Sequence, residues 1–114
     1  MQGDRSCLIH MIECIRAMEK YAEGGRSAFM GSTLVQDAAL WNLQLMSACA
    51  LRLSDMEKRI HPEVDWHRVG RLFRDLVRDP WSLEVEKVWQ CVETDVRALK
   101  NNLEAILRPR TGRI

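Results

Sequence analysis

The chain has 114 residues, room for one domain and one core, with a small stability margin at that size. Lys and Arg total 17 against 16 Asp and Glu, and the net charge of +1 excludes a protein that binds polyanions through bulk charge. No apolar run approaches the ~18 residues of a membrane span, and the charged start Met1-Gln-Gly-Asp-Arg-Ser-Cys7 lacks the apolar centre of a secretory leader, so neither is expected.

Leu8, Met11, Ile12, Ile15, Met18 and Ala22 recur at steps of three and four and predict a first helix, capped by Ser6 and stopped at Gly24-Gly25. Residues 26–32 read as a short turn carrying Phe29. A long helix is expected from Thr33 to Leu53, capped by Ser32. Val35, Ala39, Met46 and Leu53 lie toward one side of it, while Leu40, Leu43, Ala50 and Leu51 spread around the rest. A helix apolar nearly all round is buried on several sides, and in so short a chain a second copy is expected to cover part of it.

Ser54 caps a brief helix over 55–60, which Pro62 ends. Asp65 caps the next, over 66–78, whose apolar face is Trp66, Val69, Phe73, Leu76 and Val77. Arg71, Arg74 and Arg78 fall together on the opposite face, and Pro80 breaks the helix. Ser82 is expected to cap the last helix, where Val85, Val88, Trp89, Val92, Val96, Leu99, Leu103 and Ile106 make a regular stripe. Pro109 and Gly112 end it. Residues 1–108 thus read as one helical domain and 109–114 as a basic tail. The pattern predicts an all-α, up-and-down bundle of four to five helices. Cys7, Cys14, Cys49 and Cys91 show no C-x-x-C spacing and read as free thiols of a reducing cytoplasm.

Three stretches together carry a family resemblance. One is the first helix through Tyr21-Ala-Glu-Gly-Gly-Arg-Ser-Ala-Phe29. Another is Leu34-Val-Gln-Asp-Ala-Ala-Leu-Trp-Asn-Leu-Gln-Leu45, on through Arg52-Leu53-Ser54. The last runs from Val64-Asp65-Trp66 through Val88-Trp89 to Asp95-Val-Arg-Ala-Leu-Lys100. In order and spacing the chain resembles the HepT-type toxins of the HEPN superfamily over about residues 4 to 107. The resemblance implies a homodimeric helical bundle with metal-independent ribonuclease activity and no cofactor. It also implies a minimal nucleotidyltransferase antitoxin as partner. The family signature is an arginine, four residues, a histidine, one residue and a tyrosine, with the arginine and histidine of two subunits meeting in a cleft. The partner is expected to adenylylate the tyrosine.

Counting back from Val88-Trp89, the arginine position falls on Phe73, the polar residue after it on Arg74, the histidine position on Arg78 and the tyrosine position on Pro80. Trp41 stands where similar proteins carry an arginine, and Ser47-Ala48 where they carry Gly-Glu. RNA cleavage without metal needs a group that exchanges a proton near neutral pH, which histidine does and arginine does not. Losing such a group costs about 10²–10⁴ in rate, and losing a phosphate-stabilising arginine a further ~10²–10³. The expectation is a catalytically degenerate family member that acts by binding the nucleotidyltransferase, RNA, or both.

Two rivals stand beside it: an active ribonuclease using displaced residues, His67 with Arg71 or Arg74, and a redesigned scaffold whose cleft residues were exchanged for packing ones. Arg71, Arg74 and Arg78 share one face and could hold phosphates, though a solvated face partly neutralised by Asp75 and Asp79 is the simpler reading. Cys7, His10 and Cys14 also share a face, but residues seven apart lie roughly 10 Å apart along a helix. A packing stripe is therefore expected there rather than a metal site. His61 and His67 read as surface histidines. Trp66 and Trp89 read as core, while Trp41 and Trp81 stay open between packing and base stacking, Trp41 also as a filler of the cleft.

Overall fold

A computed structural model of the protein describes residues 2–108, and among them it contains helices and no strand. Helix α1 spans Gln2–Tyr21, α2 Gly25–Met30, α3 Thr33–Arg52, α4 Asp55–Ile60 and α5 Trp66–Val77. After a 3₁₀ turn at Pro80–Ser82 come α6, Val85–Gln90, a π turn over Cys91–Asp95, and α7, Val96–Leu107. Those last three form one unbroken rod. The basic tail, 109–114, lies outside the described residues, as does the side chain of Pro80.

Three caps sit where the sequence puts them. Ser32 Oγ accepts from the Val35 amide at 3.1 Å, Ser54 Oγ from Glu57 at 3.1 Å, and Asp65 Oδ1 from Arg68 at 3.1 Å. Each satisfies a first-turn N–H that would otherwise lack a partner, worth about 1 kcal/mol. Two caps differ from expectation. Ser6 lies inside α1, because the helix begins at Gln2 and places Asp4 in its first turn, where an acidic group suits the dipole. Ser82 does not start the last helix, because its hydroxyl donates to Asp79 Oδ2 at 2.9 Å; α6 starts behind Glu84 instead. The stretch expected as a turn at 26–32 is mostly the short helix α2. Gly25 enters it at φ +84°, a left-handed conformation suited to glycine. α2 also carries the fully buried Phe29 to within 5.2 Å of the Trp89 ring, tilted at 47°.

Helix α3 is the centre of the bundle, packed between α1 and α5 and touched by α2 and α6. Its inward residues Ala39, Leu43, Met46 and Ala50 are almost fully buried. They meet Leu8, Met11, Ile15 and Met18 of α1, Phe73 of α5 and Val88 of α6 within one core. Each such large side chain contributes roughly 1.5–3 kcal/mol by leaving water. α1 and α3 are antiparallel, since the Asp4 carboxylate accepts from the Ser54 amide at 2.9 Å and from the Ser54 hydroxyl at 2.7 Å. α7 lies along α1, with Lys100 Nζ 2.6 Å from Glu19 Oε2. Arg26 pairs with Glu86 to tie α2 to α6. The result is an all-α up-and-down bundle of four long helical units joined by short ones, as the sequence pattern predicts.

Candidate functional site

Helix α5 has two faces of opposite character. Trp66, Gly70 and Phe73 are buried, with Val69, Leu72, Leu76 and Val77 half-buried beside them. His67, Arg68, Arg71, Arg74, Asp75 and Arg78 are exposed. The spacing of 71, 74 and 78 gathers three guanidinium groups into one stripe. Asp75 Oδ1 lies between two of them, 3.9 Å from Arg74 Nε and 3.8 Å from Arg78 Nη1, with both side chains more than half exposed. Pairs of that length and exposure contribute little. Asp79 does not join them: its carboxylate accepts from the Trp81 amide at 3.1 Å and from the Ser82 hydroxyl. The stripe therefore keeps more positive charge than the sequence alone suggests.

Phe73 and Arg78 are held apart. Phe73 is 1% exposed and belongs to the core. Arg78 follows the last residue of α5 and is 75% exposed. Neither position offers a titratable group near neutrality, and Arg74, next to Phe73, is on the outer face. The stripe can hold an anion and cannot relay a proton.

Ser47 and Ala48 part company. Ser47 is buried and its hydroxyl donates to the Gly70 carbonyl at 2.9 Å, while Ala48 is exposed. Trp41 is 58% exposed on α3, in line with Leu34 at 80% and Leu45 at 38%. Steps of seven and four place these three in one outward apolar row. Trp81, on the turn after the arginine stripe, is 94% exposed. Trp66 and Trp89 are core, and Trp66 Nε1 donates to the His61 carbonyl at 3.0 Å.

The histidines are scattered. His61 sits half-buried between Glu57 Oε2 at 3.0 Å and Glu63 Oε2 at 3.7 Å, on the turn before α5. His67 is exposed at the edge of a shallow groove of about 520 Å³, which it shares with Lys58, Arg59 and Asp65. Asp65 uses one carboxylate oxygen as a helix cap rather than for His67. His10 is exposed beside Glu13, 3.5 Å away. Cys14, which shares its helix face in the sequence, is buried. Among the described residues no group of three His, Cys, Asp or Glu side chains is placed to hold a metal ion, and no helix is long and apolar enough to cross a membrane.

Sequence reasoning missed the contacts that join distant segments: Asp4 to Ser54, Arg26 to Glu86 and Ser47 to Gly70. No local signal marks such pairs.

The family model described as "Ribonuclease HepT-like" matches residues 11–106, most of the chain and all of the helices described above except the first half of α1 and the end of α7. A protein of Thermococcus cleftensis named "Probable ribonuclease HepT" is 24% identical over 78 residues, covering 68% of this chain and 71% of its own length. No solved structure matches the chain significantly.

Proposed function

The chain belongs to the HepT-like ribonuclease family, and from that membership we propose that it keeps the family fold, lacks the family's catalytic chemistry, and works by binding. The observation that carries this reading is Phe73. A phenyl ring 1% exposed stands where similar proteins carry the phosphate-stabilising arginine, while the histidine position holds an exposed guanidinium. A substrate 2′-hydroxyl brought to this face meets no base.

The proposed binding surfaces are two. The outward row of α3, with Leu34, Trp41 and Leu45, is the contact with a second copy of the chain, so that Trp41 lies where a family member would leave room for substrate. The stripe of Arg71, Arg74 and Arg78 is the surface for phosphate groups of RNA or for the acidic face of a nucleotidyltransferase antitoxin. The motif offers that enzyme no tyrosine hydroxyl to adenylylate.

Purified protein incubated with single-stranded RNA tests the reading. Expected is no cleavage above background and a weak binding that falls steeply with salt. Cleavage at toxin-like rates that Arg78→Ala abolishes would end the proposal. One arrangement favours a rival: His67, Arg71, Arg74 and Arg78 follow one another at steps of four, three and four on the exposed face of α5. Should the wild type cut RNA and His67→Ala stop it, the chain is an enzyme with a displaced base.

A further inference from the structure

The four thiols are of two kinds. Cys14 and Cys91 are buried, and burial pushes the Cys91 thiol up to about 12. Cys7 and Cys49 are half-buried and sit on facing sides of α1 and α3. The antiparallel register that sets Asp4 against Ser54 brings Cys7 to Cys49 about one turn further along both helices. Their sulfurs are in hydrogen-bond contact. This is a pair of thiols on two packed helices, one turn from a pinned end, with part of each side chain open to solvent.

We propose that Cys7 and Cys49 form a redox site that closes to an intramolecular disulfide between α1 and α3 in the presence of a low-molecular-weight disulfide. The Cys7 thiolate attacks one sulfur of that disulfide, forming a mixed disulfide and expelling one small thiolate. Cys49, deprotonated, then attacks the Cys7 sulfur, forms the protein disulfide and expels the second small thiolate. Two electrons pass from the protein pair to the small disulfide, and the two protons lost by the cysteines end on the two small thiols. Burial, then the charge of Cys7 and its hydrogen bond, push the Cys49 thiol up to about 11. The second step is therefore slow at neutral pH, and the site responds over minutes to hours rather than as a fast sensor. Closure fixes the spacing of α1 and α3 next to Ala48, so the oxidised form holds the outward row of α3 on a more rigid helix.

The whole folded protein is incubated with excess oxidised glutathione at mild alkaline pH. Thiol counting and peptide mass spectrometry without reduction then read the result. Expected is a fall from four free thiols to two, a Cys7–Cys49 linked peptide lighter by two hydrogens, and full reversal by dithiothreitol. Cys49→Ser leaves the mixed disulfide on Cys7 unresolved, so a stable glutathione adduct at Cys7 is expected in that variant. Separate adducts on Cys7 and Cys49 of the wild type without a link, a link to Cys14 or between chains, or four unreacted thiols would each overturn the proposal.

Discussion

The hydroxyl of Ser47 donates to the carbonyl of Gly70 across 2.9 Å, deep between α3 and α5. The contact exists because Gly70 has no side chain there: a Cβ would come within 2.7 Å of Leu51 Cδ2. It fixes the height of α5 on α3, and with it the level of the arginine stripe. Ser47→Ala is expected to lower unfolding free energy by about 1 kcal/mol, since the hydrogen bond is lost but no charge is stranded. Denaturant unfolding reads this, and a stabilised variant would contradict it.

Phe73 and Arg78 should respond oppositely to truncation. Phe73→Ala empties a fully buried site and is expected to cost about 3–5 kcal/mol. Arg78→Ala, on an exposed side chain, should change stability by less than about 0.5 kcal/mol. Equal losses in the two variants would mean that α5 is rotated from the orientation described.

The outward row of α3 makes a statement about assembly. Trp41→Asp is expected to weaken self-association about 100-fold or more, as for a central aromatic anchor, while circular dichroism stays unchanged because Trp41 is 58% exposed within one chain. Sedimentation of wild type and variant across a concentration series checks it. A wild type that stays monomeric at high micromolar concentration removes this row as the contact.

Acid should loosen the bundle at identifiable places. The Ser54 amide and then the Ser54 hydroxyl hold the Asp4 carboxyl below its usual range, and Arg26 does the same for Glu86. A carboxyl lowered by folding stabilises the native state above its unfolded value, about 4. That contribution fades as pH falls further, through the folded value. Thermal midpoints should therefore drop more steeply below about pH 4 in wild type than in Asp4→Asn, which keeps an acceptor for Ser54 but does not titrate. Parallel curves for the two proteins would show that Asp4 plays no part.

What the sequence discloses here is mostly what acts over a few residues. The caps at Ser32, Ser54 and Asp65 were legible because each lies just ahead of an apolar period. The inward turn of Phe73 was legible from its place in the α5 stripe. Ser82 misled because another acceptor, Asp79, lies three residues back and captures its hydroxyl. The freedom of the arginine stripe was understated for the same reason, since Asp79 was counted against it. The hydrogen bond of Asp4 to Ser54 joins residues fifty apart in sequence, and only the fold reveals it. The π turn was invisible because Val92 and Val96 continue the expected stripe on either side of it.

That π turn has an effect on the whole rod. A helix gains about 100° of rotation with each added residue, so one extra residue within Cys91–Asp95 resets the azimuth of everything after it. Upstream, α6 faces α2 and α3; downstream, α7 faces α1. One continuous helix thereby serves two neighbours at different bearings without a loop. Removing any single residue between 91 and 95 would leave the rod intact as a helix, yet swing Leu99 and Leu103 away from α1.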